Sequence, residues 1–218
     1  MIKAFFIDFY GTVVHEDGHV VKKISEILSK TGNGADVSEI DRYWGKDFRE
    51  KFQEAYGDNF ESQRELERQS LQDTIEHFDS DADPDELADM LFEQWVKPPI
   101  FEDSKEFLEQ SPLPVYIVSN IDKADIEEAI KYHGLNPAGV FTSEDAKSYK
   151  PCGKIFDMAL EEAGLQPNEV IHIGDSIGSD VKGAGRKGIR ALWINRTGRD
   201  VPNGVECISS LTDALSVL

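Results

Sequence analysis

Residues 3–12 read KAFFIDFYGT, in which four apolar residues separate Lys3 from Asp8 and polar or small side chains follow. Short, continuous apolar runs of this kind are typical of strands that are buried on both faces of a parallel sheet. Two later segments have the same form, VYIV at residues 115–118 and VIHI at residues 170–173. Each run stops at a polar cluster, so the sequence predicts three strands whose carboxyl ends carry polar side chains.

Helical patterns follow these strands from about residue 100 onward. Apolar residues recur at helical spacing in residues 123–133, 154–163 and 181–187, and a glycine, a common helix terminator, directly follows each stretch. Weaker strands of the same style are predicted at residues 139–142 and 190–194. Alternating strands and helices predict βαβ units, and therefore a parallel sheet in an α/β fold.

Residues 15–100 have a different pattern, without convincing strands. Apolar residues at helical spacing predict four helices there, and an aromatic stripe at i, i+4 and i+8 is most simply explained as part of their core. The stripe consists of Trp44, Phe48 and Phe52. We therefore expect a core domain formed by residues 1–14 and 101–218, with residues 15–100 inserted after the first strand as a helical domain.

The composition narrows the class of function. The 218 residues include 42 acidic and 23 basic side chains, a formal net charge of −19, which disfavours binding to the phosphate backbone of a nucleic acid. The two cysteines are far apart and form no CxxC pattern, which favours a reducing cytoplasm. No apolar run approaches the length of a signal peptide or membrane span, so we expect a soluble cytoplasmic protein without a membrane partner.

The polar clusters at the strand ends predict a single site. Ligands of open parallel sheets bind beyond the carboxyl ends of the strands, which places Asp8, Ser119 and Asp175 around one crevice. Lys150, which precedes a proline, is a candidate fourth member. Two carboxylates this close would repel each other, and a divalent cation between them removes the repulsion. Mg²⁺ suits such a site because it favours one or two carboxylates together with phosphate and water.

These residue types also suggest a reaction. Asp180 could join the metal site, directly or by holding a metal-bound water. Lys150 would balance the charge of a bound anion, while Ser119 and the backbone N–H groups near Gly11 and Thr12 would bind its oxygens. A carboxylate nucleophile that attacks phosphorus would form an aspartyl-phosphate, which water then hydrolyses.

These candidate site residues resemble those of the haloacid dehalogenase superfamily of aspartate-nucleophile hydrolases. The four motifs of that superfamily occur in order in this sequence, and the resemblance covers nearly the whole chain. The motifs are DFYGT at residues 8–12, Ser119-Asn120, Lys150 before proline, and GDSIGSD at residues 174–180. The resemblance implies a Rossmann-like parallel-sheet core. It also implies that residues 15–100 form the family's small helical (C1) type of cap domain.

The resemblance assigns a role to each motif residue. The implied catalytic residues are Asp8, Tyr10, Ser119 and Lys150. The implied substrate-binding residues are Gly11, Thr12, Ser119, Asn120 and Lys150. The implied Mg²⁺ ligands are Asp8, Tyr10 through its backbone carbonyl, Asp175 and Asp180.

The first motif departs from the pattern of most phosphatases in the family. They carry a second aspartate two residues after the nucleophile as general acid and base, whereas this chain has Tyr10. A phenol with an ordinary pKa of about 10 is a poor proton donor and acceptor at neutral pH. Tyrosine at this position is similar to the L-2-haloacid dehalogenases, in which the aspartate attacks carbon without a metal.

The fourth motif favours phosphatase chemistry instead. The L-2-haloacid dehalogenases have Ser-Ser-Asn where this chain has Gly174-Asp175-Ser176, and a carboxylate at Asp175 would repel a haloacid substrate. Those enzymes also hold halide with an arginine of the cap, for which Arg42 and Arg49 are candidates.

The sequence therefore predicts a hydrolase, most simply a Mg²⁺-dependent phosphatase of a small phosphorylated metabolite. The alternatives are a metal-independent L-2-haloacid dehalogenase and a non-catalytic protein that binds a phosphorylated ligand. The expected partner is a small phosphoester or haloacid, and the chain is expected to be a monomer or homodimer. His15 is expected to mark the hinge into the cap and to have no catalytic role, and His172 to be a core histidine with its hydrogen bonds satisfied.

Overall fold

The structure is a computed structural model that describes residues 1–218, and the chain divides into two compact units. The sheet unit consists of Met1–Glu16, Pro99–Asn120 and Ile130–Leu218. The helical unit consists of Asp17–Pro98 and Ile121–Ala129. The predicted domain boundaries lie within two residues of the ends of Asp17–Pro98, but the prediction left Ile121–Ala129 in the core.

Six parallel strands form one sheet in the order β3-β2-β1-β4-β5-β6, which confirms the predicted α/β class. The strands are β1 (Ala4–Ile7), β2 (Val115–Ser119), β3 (Gly139–Thr142), β4 (Val170–Gly174), β5 (Arg190–Ile194) and β6 (Cys207–Ile208). The two-residue edge strand β6 has no counterpart among the predicted strands. In the register, Ile7 pairs with Ile117 of β2 and Ile173 of β4, so the polar residues that follow these three strands share one edge of the sheet.

Nine α-helices accompany the sheet, and the predicted helices at 123–133 and 154–163 have the bounds that the pattern indicated. The helices are α1 (Gly18–Thr31), α2 (Val37–Glu54), α3 (Gln63–His77), α4 (Pro84–Val96), α5 (Glu102–Gln110), α6 (Lys123–His133), α7 (Ser143–Ala146), α8 (Lys154–Ala163) and α9 (Lys182–Arg186). The predicted 181–187 helix is α9, preceded by one π-helical turn, Ile177–Val181. None of the helices combines the length and the hydropathy that crossing a membrane requires.

Strand β1 lies at the centre of the sheet unit, and its four residues are fully buried. The ring of Phe5 packs edge-on against Phe107 of α5, with centroids 5.4 Å apart. Phe6 belongs to a core cluster with Val118 and with Phe156 of α8. Burial on both faces explains why β1 reads as a continuous apolar run instead of an alternating one.

Helices α1 to α4 confirm the four helices predicted for the inserted segment. In the aromatic stripe of α2, only Trp44 is fully buried; Phe48 and Phe52 are half-buried and contact each other with ring centroids 5.7 Å apart. The prediction that all three form the core of this domain was therefore only partly right. Phe48 instead lines a cavity of the helical unit together with Trp44.

The N-terminus of α3 explains why Ile121–Ala129 belongs to the helical unit. The backbone N–H groups of Gln63 and Arg64 donate to the two carboxylate oxygens of Asp122, at 2.8 and 2.9 Å. Arg64 also pairs with the buried carboxylate of Asp125 through Nε, at 2.9 Å to Oδ2. The first four N–H groups of a helix have no acceptor within the helix, and the Asp122 carboxylate supplies an acceptor for two of them.

Glu67 is a buried carboxyl in the helical unit, with 9% of its surface exposed. Burial and, secondarily, the charge of Asp17 raise its pKa from 4.5 to about 8. The folded chain therefore binds this proton more tightly than the unfolded chain. The contribution of the neutral Glu67 carboxyl to the free energy of unfolding is complete below pH 4.5 and is lost as the pH rises towards 8.

We therefore expect Glu67→Gln, which cannot ionise, to stabilise the protein relative to wild type increasingly as the pH rises. The expected gain in the free energy of unfolding is small near pH 5 and a few kcal/mol near pH 8. Urea unfolding of both proteins at the two pH values measures this difference. Equal gains at both values would show that Glu67 does not titrate in this range.

Candidate active site

Asp8 leaves β1 at the edge of the sheet and begins a tight turn. Its backbone N–H donates to the carbonyl of Ile173 at 2.8 Å, and the N–H of Gly11 donates to Val14 at 2.7 Å. Gly11 has φ +81°, a conformation that favours glycine, and a Cβ there would lie 2.6 Å from the carboxyl carbon of Asp175. Glycine at this position therefore allows the first and fourth motifs to approach each other.

Lys150 is buried beside Asp8 and uses all three of its N–H donors. Its Nζ lies 2.9 Å from Asp8 Oδ1, 2.7 Å from Asp180 Oδ1 and 2.9 Å from the carbonyl oxygen of Val118. The hydroxyl of Ser119 donates to Asp8 Oδ1 at 2.8 Å. Both side-chain contacts of Asp8 fall on Oδ1, which leaves Oδ2 without either of them.

Asp180 is held by three donors. Lys150 Nζ and His172 Nε2 lie 2.7 and 2.9 Å from Oδ1, and the backbone N–H of Ser176 donates to Oδ2 at 3.0 Å. A Cβ at Gly174 would overlap the Asp180 carboxyl carbon, so the absence of a side chain there makes room for it. His172 is buried in β4 as predicted, but it also orients Asp180, which the sequence analysis did not anticipate.

The charges around these carboxyls shift their pKa values in opposite directions. Burial raises the pKa of Asp8, against the opposing influence of Lys150. Burial, then the charges of Asp8, Glu16 and Asp180, raise the pKa of Asp175 to about 8. For Asp180, burial is outweighed by Lys150 and His172, which hold its pKa well below the usual range. Lys150 itself has a raised pKa, because Asp180 and Asp8 outweigh the effect of its burial.

Asp8, Asp175 and Asp180 offer carboxylate oxygens that all lie within 4.8 Å of one another. Of the three, Asp175 has the carboxyl least compensated by neighbouring donors, as its raised pKa reflects. Oxygen ligands of this kind suit Mg²⁺, whose charge would favour the ionised forms. The residues therefore fit the cation that the motifs imply.

Two residues that the sequence analysis missed hold Asp175 through its main chain. The indole N–H of Trp193 and a guanidinium N–H of Arg199 donate to the Asp175 carbonyl oxygen at 2.7 and 2.9 Å. The Arg199 guanidinium also lies over the Trp193 ring, 5.0 Å from its centroid. Trp193 is paired with Gly174 in the sheet register, so its position near the end of the predicted strand 190–194 was the available signal.

Other predicted residues occupy defined positions. The Asn120 side chain makes two hydrogen bonds with the main chain of Lys150. Its Oδ1 accepts from the Lys150 N–H at 2.7 Å, and its Nδ2 donates to the Lys150 carbonyl at 3.1 Å. Thr12 is fully buried, and its hydroxyl has no hydrogen-bond partner. Tyr10 is half-buried, with its ring edge-on to that of Phe9 at 5.2 Å. The predicted contacts of these residues with substrate stay predictions.

Two exposed arginines bear on the dehalogenase alternative. Arg42 and Arg49 both lie on the exposed surface of α2. The cavity that α2 helps to form is lined by other residues, including Asp41 and Trp44. Neither arginine lines this cavity, and their predicted role in holding halide stays a prediction. His15, expected at the hinge, is exposed and packs its ring against Phe101 at 3.8 Å.

Similar proteins include both kinds of hydrolase. An (S)-2-haloacid dehalogenase 4A from Burkholderia cepacia is 31% identical over 117 residues, which cover 51% of this chain and 50% of that protein. A phosphoserine phosphatase from Thermus thermophilus is 29% identical over 116 residues, which cover 51% of this chain and 47% of that protein. The matched region thus spans about half the length of each of these two relatives.

A solved structure and a family model match far more of the chain. The L-2-haloacid dehalogenase from Xanthobacter autotrophicus has the same fold, with a TM-score of 0.76 at 20% identity over 100% of this chain and 98% of that one. The family model described as haloacid dehalogenase-like hydrolase matches residues 2–188. With the four motifs gathered at one edge of the sheet, this match shows that the chain is a hydrolase that belongs to the haloacid dehalogenase-like family.

Proposed function

We propose that this hydrolase is a Mg²⁺-dependent phosphatase that acts on a small phosphorylated metabolite through an aspartyl-phosphate at Asp8. The observation that carries the proposal is the Asp175 carboxyl, which lies within 4.8 Å of that of Asp8 and has a pKa raised to about 8. A second carboxylate beside the nucleophile is useful when a cation binds to both. In a metal-free attack on a haloacid the same carboxyl would hold no cation, and its ionised form would repel the substrate carboxylate.

The contacts of Asp8 suggest how it acts. Lys150 and Ser119 both bind Oδ1, which orients the carboxylate and directs Oδ2 towards phosphorus. Attack by Oδ2 forms an O–P bond and breaks the ester P–O bond, whose electron pair leaves with the alcohol oxygen. Water then attacks the phosphorus of the aspartyl-phosphate, which releases inorganic phosphate and restores Asp8.

The proposed Mg²⁺ ligands are Asp8 and Asp175, with the backbone carbonyl of Tyr10. When bound, the cation would neutralise these carboxylates and the charge of the substrate phosphate. Asp180 is better suited to an indirect role, because its carboxylate already accepts from Lys150, His172 and Ser176. Direct binding of Asp180 to Mg²⁺ was one of the predicted possibilities, but it is therefore not part of the proposal.

Tyr10 favours a second candidate function, that of an L-2-haloacid dehalogenase. The family phosphatases use an aspartate at this position to protonate the leaving group, and tyrosine lacks a suitable pKa near neutral pH. A phosphorylated-ligand binder without catalysis is the third candidate, and the retention of Asp8 beside Lys150 counts against it.

Tyr10 leads to a prediction about leaving groups. Without a strong acid at this position, we expect the rate to depend steeply on leaving-group pKa, with aryl phosphates cleaved faster than alkyl phosphates. Tyr10→Asp should raise kcat for an alkyl phosphate by about 10²-fold and leave kcat for p-nitrophenyl phosphate within a few-fold. Tyr10→Phe is the matched control, and a large loss of activity in it would show that the phenol itself is the acid.

A substrate panel tests the proposed function. The protein is incubated with phosphoesters and with 2-haloacids, each with Mg²⁺ and with a chelator, and released phosphate and halide are measured. The proposal expects phosphate release that requires Mg²⁺ and no halide release. Chelator-resistant halide release from 2-chloropropionate, without phosphate release from any ester, would support the dehalogenase instead.

The expected setting of this activity is the cytoplasm. Cys152 and Cys207 are both free thiols, which supports a reducing compartment. A small metabolite as substrate and a monomer or homodimer as the assembly remain part of the proposal.

A further inference from the structure

The helical unit contains a cavity of about 210 Å³ between α1, α2 and α3. Three carboxyl side chains line it, and neither lysine nor arginine does. The carboxyls are those of Asp17, Asp41 and Glu67, and aromatic walls come from Trp44 and Phe48. The cavity therefore combines negative charge with aromatic surface, and it carries no cation of its own.

The three carboxyls have no charged partners. Asp17 Oδ2 accepts from the indole N–H of Trp95 at 2.7 Å, and Asp41 accepts from the hydroxyl of Ser25. None of the three takes part in a salt bridge. The raised pKa of Glu67, caused first by burial and then by Asp17, is what such an uncompensated group produces. A cationic ligand would favour the ionised form of Glu67 and lower this pKa.

Two polar atoms of the same walls lack hydrogen-bond partners. Trp44 is 2% exposed, and its indole Nε1 is buried without an acceptor. The Trp44 N–H lies near enough to the Glu67 carboxyl to lower its pKa, although it makes no hydrogen bond with it. Gln63 Oε1 is also buried, and it lacks a donor. Buried polar groups are normally satisfied, so an unused donor and an unused acceptor point to a ligand that supplies both.

We propose that this cavity binds a small molecule with a protonated amine and a hydrogen-bonding oxygen. The ammonium would lie among the carboxyls and against the aromatic rings, where Gln63 Oε1 can accept one of its protons. The indole N–H of Trp44 would donate to the ligand oxygen. An anion is disfavoured by the carboxyls. A hydrated metal ion is disfavoured by the apolar surfaces of Phe48 and Val21.

The inference does not rest on the proposed phosphatase activity. Such an amine has two possible sources, a free small molecule or an amine-bearing phosphoester that is also the substrate. Both share the chemistry that the cavity recognises, so the experiment has one arm for each.

The three tryptophan indole N–H groups provide a site-specific readout in ¹⁵N-labelled full-length protein. The indole of Trp44 lies in the cavity wall, that of Trp95 donates to Asp17 and that of Trp193 donates to Asp175. Trp44→Phe assigns the Trp44 resonance. Titration with 4-amino-1-butanol should shift this resonance saturably, whereas the uncharged 1,4-butanediol should not. Equal shifts with both compounds, or none with either, would overturn the proposal.

Charge-removing variants test the carboxyls one at a time. Glu67→Gln and, separately, Asp41→Asn should each weaken binding of 4-amino-1-butanol by about tenfold or more, as expected for loss of a charge-assisted hydrogen bond. The two variants remove charge from different helices, so failure of one to fold leaves the other informative. Unchanged affinity in a variant that folds would overturn the proposal.

The second arm identifies the source of the amine. Binding of 4-aminobutyl phosphate and 4-amino-1-butanol is compared in Asp8→Asn with Mg²⁺, so that turnover does not intervene. Tighter binding of the phosphorylated amine, measured by the shift at Trp44, would identify a phosphoester as the source. Equal affinity of the two compounds at Trp44 would identify a free amine. No shift at Trp44 with either compound would overturn the cavity as an amine site.

Discussion

Asp8→Asn is expected to reduce phosphate release by at least about 10⁴-fold, because an amide cannot form the aspartyl-phosphate. Ser119 and Lys150 would still contact the residue through Oδ1, so substrate binding should change far less than kcat. Lys150 would keep its ion pair with Asp180, and the buried ammonium therefore keeps a counter-charge. Steady-state kinetics with p-nitrophenyl phosphate measures the effect.

A matched substitution controls for the removal of a negative charge. Asp200 is exposed in the same unit, and Asp200→Asn should leave kcat within about twofold of wild type. Circular dichroism and thermal unfolding of Asp8→Asn establish that the variant is folded. Retention of more than a tenth of the wild-type kcat in folded Asp8→Asn would exclude Asp8 as the nucleophile.

Removal of Mg²⁺ is expected to have the second large effect. Chelation should abolish phosphate release, and Asp175→Asn should lower kcat/KM by about 10³-fold at a fixed Mg²⁺ concentration. Titration with Mg²⁺ should partly restore the activity of the variant, because Asp8 still provides one carboxylate. Activity that is insensitive to both changes would contradict the proposed role of Asp175.

The stability of the folded protein in the presence of a chelator tests the role of Asp175 independently of enzyme activity. Its pKa is raised from 3.8 to about 8, so the folded chain favours the neutral carboxyl. The contribution of the neutral Asp175 carboxyl to the free energy of unfolding is complete below pH 3.8 and is lost as the pH rises towards 8. We expect wild type in chelator to lose a few kcal/mol relative to Asp175→Asn between about pH 5 and pH 8. Added Mg²⁺ should restore the Tm of wild type at the higher pH but have little effect on the variant.

The strands and the site they position could be predicted because both depend on local pattern. Continuous apolar runs are typical of strands buried on both faces, and parallel strands bring their carboxyl ends to one edge. Asp8, Ser119 and Asp175 follow three such runs, so their proximity was predictable from the amino-acid sequence alone. The C-terminal ends of helices could also be predicted where a glycine directly follows the last turn, as at Gly134 and Gly164.

Partners distant in sequence could not be predicted in the same way. Asp122 caps α3 across 59 residues of sequence, and no local pattern indicates that Ile121–Ala129 packs with the helical unit. The contact of His172 with Asp180 depends on a strand and a π-helical turn that meet only in the fold. Burial was also misjudged at Phe48, since helical spacing cannot distinguish a core face from a cavity wall.

The chemical identity of the adduct at Asp8 distinguishes attack on phosphorus from attack on carbon. Protein is mixed with p-nitrophenyl phosphate and Mg²⁺, or with 2-chloropropionate and chelator, and is then quenched. Borohydride reduces an aspartyl-phosphate to homoserine, whereas an aspartyl ester formed from the haloacid resists borohydride in water and is detected unreduced by its added mass. Mass spectrometry of the peptide that contains residue 8 identifies either product. We expect homoserine at this position after the phosphoester with Mg²⁺ and no ester after the haloacid. An ester after 2-chloropropionate with chelator, without homoserine after the phosphoester, would contradict the proposed aspartyl-phosphate.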